Sequence, residues 1–122
     1  MTSHPKPVVL VVEDESIIRM LAVDAFLDEG FVVLQAEHAA EAQLVYGASA
    51  RVQVLFTDVN MPGPLNGIDL AGRLKALDPR LHVIITSALP IVRSVDHLPA
   101  TFVAKPYDLQ IVCQTAKDLL AA

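Results

Sequence analysis

VQVLFTDVNMPG, residues 52–63, is the stretch on which the reading of the whole chain turns. Its first half, Val52 to Thr57, alternates apolar and polar residues and is rich in β-branched and aromatic types, which predicts a strand. Asp58 stands where that strand should run out. Asn60, Pro62 and Gly63 are turn formers, and Pro62 cannot continue a ladder of backbone hydrogen bonds. A carboxylate is therefore expected on the lip of a sheet, within reach of solvent and ligands. Asp also starts turns for local reasons alone, so the meaning of Asp58 depends on what the other elements bring to it.

The 122 residues, 53% hydrophobic, suffice for one core, so a single domain over residues 1–122 with no output domain is expected. A formal charge of -5 and the lack of any Lys/Arg run argue against direct binding to nucleic acid or to an anionic membrane surface. The N-terminal MTSHPKP has no apolar leader core and no apolar run is long enough to span a bilayer, which predicts a cytoplasmic protein. Cys113 is the only cysteine, which excludes an internal disulfide and a thiolate metal cluster, and its apolar helical context predicts burial.

Working outward from residues 52–63, the same unit recurs on both sides. Val8 to Val12, VVLVV, is a short run apolar on both faces, the pattern of a central parallel strand. Glu13, Asp14 and Glu15 follow it, then a helix from about Ile17 to Glu29 with Ile18, Leu21, Ala22 and Ala25 on one apolar face and Gly30 at its end. A strand over Phe31 to Gln35 leads to a helix over Ala39 to Tyr46, closed by Gly47. Beyond the Asn/Pro/Gly turn, Leu70, Leu74 and Leu77 mark a helix from Gly67 to Leu77. His82 to Thr86 is a fourth strand with Ser87 and Ala88 at its end, and Leu89 to Pro99 predicts only a short or irregular fourth helix. Thr101 to Ala104 is a fifth strand, followed by Lys105-Pro106 and a helix from Asp108 to Leu120 with Leu109, Val112, Ala116 and Leu119 on one face.

Strands alternating with helices give an α/β, flavodoxin-like, doubly wound five-stranded parallel sheet, expected in the order 2-1-3-4-5 with right-handed crossovers. In such a sheet the site lies outside the C-terminal strand ends, where Glu13, Asp14, Asp58, Ser87 and Lys105 would meet. Each has an ordinary explanation when taken singly: acids favour a helix N-terminus, a serine bonds its own backbone, a lysine is a surface charge. Together, three carboxylates a few ångströms apart need a proton or a cation to coexist. Mg²⁺ suits them, being a hard ion held by one or two carboxylates plus phosphate oxygens, whereas His4, His38, His82 and His97 are scattered and offer no zinc site. With Mg²⁺ between Asp14 and Asp58 and with Lys105 and a hydroxyl opposite, the arrangement reads as a phosphoryl acceptor with Asp58 as nucleophile.

LVVEDE, DVNMPG, TSA and AKP, in that order, resemble the motifs of the receiver domain of bacterial two-component response regulators, chemotaxis-regulator-like and single-domain, across nearly the whole chain. The resemblance implies Asp58 as the phosphorylated residue, Asp14 as a direct Mg²⁺ ligand, Glu13 as a ligand directly or through water, and Asn60 as a ligand through its backbone carbonyl. It implies Ser87 and Lys105 on the phosphoryl oxygens, Phe102 as the aromatic that turns on activation, and a Lys105-Pro106 bond of a kind often cis in the family. The implied partners are a sensor histidine kinase or histidine phosphotransfer protein and a downstream protein target, for a monomer or weak dimer that accepts and slowly loses a phosphoryl group without being an enzyme otherwise.

The chain also departs from the pattern. Thr86 and Ser87 are adjacent hydroxyls facing opposite ways, and Ser87 is chosen because Ala88 follows it. The PGPLNG loop is one residue longer than the commonest form, and Ser87 to Lys105 is short by about one helical turn, on the order of four residues. A haloacid dehalogenase-like phosphatase would carry a second acid where Asn60 stands, and a flavin or nucleotide module would carry a glycine- or hydroxyl-rich loop where Glu13, Asp14 and Glu15 stand. A receiver-like adaptor that is never phosphorylated is the remaining alternative.

Overall fold

The computed structural model describes residues 5–49, 51–88 and 99–122. The elements run β1 (Val8–Val12), α1 (Ser16–Asp28), β2 (Val32–Ala36), α2 (Ala39–Ala48), β3 (Val54–Asp58), α3 (Gly67–Leu77), β4 (His82–Ser87), β5 (Thr101–Ala104) and α4 (Leu109–Ala121). All strand pairs are parallel and the order is 2-1-3-4-5, as the alternation predicts. Four helices are seen among the described residues. The expected short fourth helix falls on residues 89–98, outside them.

Period-two alternation divides the interior. Leu10, Val12, Leu55, Val83 and Ile85 pack with Leu70 and Leu74 of α3 and with Ala39 and Ala42 of α2. Val9, Val11, Val54, Phe56 and Ile84 pack on the other face with Ala22 and Phe26 of α1 and with Val112, Cys113 and Ala116 of α4. Because β1, β3 and β4 are covered on both faces, their centres are apolar without interruption, and each fully buried Leu, Ile or Phe contributes roughly 1.5–3 kcal/mol. Cys113 is buried here as expected, and burial pushes its thiol up to about 11.

Several expected boundaries and faces shift. α1 buries Ala22 and Phe26, while Leu21 is 55% exposed. The ring of Phe26 takes the sheet-facing position, edge-on to Phe31 at 5.0 Å and tilted against Phe56 at 5.7 Å; Ala22 and Ala25 of the predicted face stay against the core, and Leu21 does not. Gly47 does not close α2, which continues to Ala48; the hydroxyl of Ser49 then donates back to the Val45 carbonyl. Leu77, the last residue of α3, is exposed. β3 is displaced toward the C-terminus, so Asp58 is its last residue rather than the one that follows it. No helix among the described residues is long and apolar enough to cross a membrane.

Candidate functional site

The site residues sit at the C-terminal ends of the strands, Glu13 and Asp14 after β1, Asp58 on β3 and Lys105 after β5. The amide of Glu13 donates to the Ala36 carbonyl at 3.1 Å, extending the β1–β2 pairing one residue beyond β1, and the Glu15 amide donates to Glu13 Oε2 at 3.0 Å. Asp58 closes β3, with the next amide, that of Val59, donating to the Thr86 carbonyl at 3.0 Å. Lys105 follows β5, its amide donating to the Ser87 carbonyl at 2.9 Å, and its Nζ donates to Asp58 Oδ2 at 2.8 Å. Glu13, Asp14 and Asp58 each present an oxygen, and the three lie within 4.8 Å of one another. Glu13 and Asp58 are buried and Asp14 is exposed, so the cluster opens to solvent on the Asp14 side.

Electrostatically the cluster is in conflict. Burial drives the Glu13 carboxyl up to about 7; the Glu15 amide opposes this, while contact with Asp14 and the charge of Asp58 add to it and Lys105 offsets them in part. Burial works against the Lys105 ammonium, but the hydrogen bond and charge of Asp58, then Glu13, hold its pKa above the usual lysine value. The Tyr107 phenol is raised by burial and by the charge of Glu13. A group of hard oxygen donors that cannot all be ionised without a counter-charge is a fitting cradle for a divalent cation.

Residues 9–117 match the response regulator receiver domain family. The chain belongs to that family. It is 31% identical over 116 residues to sporulation initiation phosphotransferase F of Bacillus subtilis, covering 92% of each. It is 33% identical over 119 residues to the chemotaxis protein CheY1 of Helicobacter pylori strain J99, covering 91% of this chain and 94% of that protein. Among solved structures, the response regulator protein TrrA of Thermotoga maritima, in complex with Mg(2+)-BeF, superposes with a TM-score of 0.80 at 25% identity, covering 93% of this chain and 98% of that one.

In this receiver domain Asn60 and Ser87 lie along the same rim, and Phe102 lies within β5, three residues before Lys105. Asn60 is exposed in the loop after β3, and the Lys105-Pro106 peptide is cis. Asp58 pairs in register with Thr86, so alternation sets Thr86 on the face of Asp58, whereas Ser87 shares its face with Ile85 and with that residue's register partner, Phe102. Ser87 and Phe102 are thus diagonal neighbours across β4 and β5. Ser87 is buried and Phe102 half-buried.

Two contributors escaped the sequence reading. Gly67, read only as the start of a helix, sits so close to β3 that a Cβ there would stand 2.0 Å from the Asp58 carbonyl oxygen and 3.1 Å from Thr57 Oγ1. Its amide donates to the Val59 carbonyl at 2.8 Å, and the Asn66/Asp69 capping box seats the N-terminus of α3 at this spot. The only signal in the sequence was a glycine directly at the first helical position. Tyr107 carries no pattern signal either; its ring meets Phe56 edge-on at 5.8 Å and packs against the apolar layer on that face of the sheet.

Proposed function

We propose that Asp58 is the phosphoacceptor of a two-component response regulator and takes a phosphoryl group from the phosphohistidine of a sensor kinase or a histidine phosphotransfer protein. The observation that carries this reading is the 2.8 Å contact of Lys105 Nζ with Asp58 Oδ2 beside three carboxylates drawn together at the strand ends. An Asp58 oxygen attacks phosphorus as the P–N bond to imidazole breaks, and the departing imidazole takes a proton from solvent. Lys105 stays within reach of the transferring oxygens and offsets the charge that develops there.

Glu13, Asp14 and Asp58, with the backbone carbonyl of Asn60, would hold Mg²⁺, and the Mg(2+)-BeF complex of the Thermotoga relative supports that choice of ion. When bound, the ion supplies positive charge opposite the phosphoryl oxygens and relieves the repulsion among the acids. Thr86 shares the face of Asp58, but Ser87 ends β4 beyond the last register pair with β3, so its hydroxyl turns over the strand end to donate to a phosphoryl oxygen. Its movement toward the new group vacates space on the face it shares with Phe102, and the Phe102 ring follows, so nearly two added charges at Asp58 become a change in surface shape. The readout is a protein contact, which suits an acidic chain with no basic run.

Incubation with acetyl phosphate and Mg²⁺, followed by intact mass measurement, tests the reading. A metal-dependent gain of one phosphoryl group is expected, and Asp58→Asn abolishes it. If neither small donors nor any partner kinase add mass, the chain works instead as an adaptor.

A further inference from the structure

Arg19 is the fourth residue of α1 and sequence patterning gives it no role. Its side chain is only 14% exposed and folds back over the turn that carries Glu13 and Asp14. Nη1 donates to the Glu13 carbonyl at 2.8 Å, Nε donates to Gln35 Oε1 at 3.1 Å, and Nη2 lies 3.5 Å from Glu37 Oε1. The shortest of these bonds goes to the main chain. The carbonyl it fixes belongs to the Glu13–Asp14 peptide, from whose two ends the two carboxylates of the turn hang. Orienting that peptide plane sets ψ of Glu13 and φ of Asp14 at once.

We propose that Arg19 is the positioning residue of the metal site: its planar fork ties the Glu13–Asp14 peptide to the end of β2 and keeps both carboxylates turned toward Asp58. The inference rests on the metal reading given above. It makes a prediction whose sign separates it from simple electrostatics. A guanidinium close to a divalent cation repels it, so if charge were its only effect, removing Arg19 would tighten metal binding. If Arg19 positions the ligands, removing it weakens binding, and groups that orient metal ligands typically account for about 10–100-fold in affinity.

The test titrates Mn²⁺, which accepts the same oxygen donors as Mg²⁺, into the intact chain and follows the free ion by electron paramagnetic resonance. Wild type, Arg19→Met, Arg19→Lys and Gln35→Ala are compared at one pH and ionic strength, with circular dichroism as the check on folding. Arg19→Met and Arg19→Lys should each weaken Mn²⁺ binding by about tenfold or more, because lysine keeps the charge but not the fork. Gln35→Ala, a neutral change that removes one anchor of the fork, should weaken it in the same direction by a smaller factor. Equal or tighter binding by Arg19→Met, or wild-type binding by Arg19→Lys, overturns the proposal. Should the Arg19 variants fail to fold, Gln35→Ala carries the test, and unchanged affinity there overturns it. Failure of the wild type to bind Mn²⁺ defeats the metal reading itself, and that arm is read before any variant.

Discussion

The two rims of the sheet both carry acids and bases, and they solve opposite problems. At the N-terminal rim Asp78, the C-cap of α3, takes the Arg80 amide at 3.0 Å, Arg51 Nε at 3.1 Å and Arg80 Nε at 3.2 Å. Those partners, the Arg80 amide foremost, hold its carboxyl down at about 2. One acid there has two guanidiniums. At the C-terminal rim three acids face one ammonium, and Glu13 is driven up to about 7. The charges of the first rim are balanced as folded; those of the second leave a negative excess that a proton or a cation can offset. A charge deficit of this kind, buried and held by the backbone, distinguishes a site from a structural ion pair.

The largest effect that sharpens the contrast is steric. Gly67→Ala forces a Cβ against the Asp58 carbonyl, with 2.0 Å available, and should cost about 3 kcal/mol or more in urea denaturation. Gly72→Ala, in the same helix with open space around it, should instead stabilise by about 0.5–1 kcal/mol. Next comes loss of a cation. Lys105→Gln strands Asp58 among like charges and should destabilise the metal-free protein by about 2 kcal/mol, whereas Arg51→Gln leaves Asp78 its Arg80 partners and should cost clearly less in the same denaturation. Equal costs would break the comparison.

The pH dependence separates the rims further. Glu13 has its pKa raised from 4.5 to about 7, so between those values the folded chain keeps a proton that the unfolded chain has lost. Stability of the metal-free protein should therefore fall as pH rises from 4.5 to about 7, and Mg²⁺ affinity should rise across the same window as the carboxylate is released. Thermal melts at stepped pH, with and without Mg²⁺, check both, and Glu13→Gln should flatten the metal-free trend. Asp78 gives the smallest change, with the opposite sign. Its depressed pKa contributes stability above 3.8 that is lost as pH falls toward about 2, and Asp78→Asn should remove that acid limb.

Patterns of period two and three to four were enough to read β1, β5 and α3 to the residue, and the strand order followed from alternation and topology rules. The acids and the lysine were legible because each stands at the end of, or just beyond, a short strand-like run. What escaped depends on distance rather than pattern. The buried line of α1 is set by the Phe26 ring competing with Leu21 for the sheet, and helix periodicity alone cannot rank the two. Gly47 looked like a stop, yet a single glycine costs a helix only about 1 kcal/mol, within what the packing of Ala42 and its neighbours covers. The closeness of Gly67 to Asp58, and the reach of Arg19 across to Glu13, are contacts between elements that no local window contains.

Asp58 and Lys105 meet across a sequence separation of 47 residues, and Glu13 follows yet another strand. Such contacts form only after long loops have closed, so a chain emerging from the ribosome lacks the Asp58–Lys105 pair until β5 has docked beside β4. The ammonium thus arrives with β5, and a copy in which that strand has not docked holds the acids without their one cation.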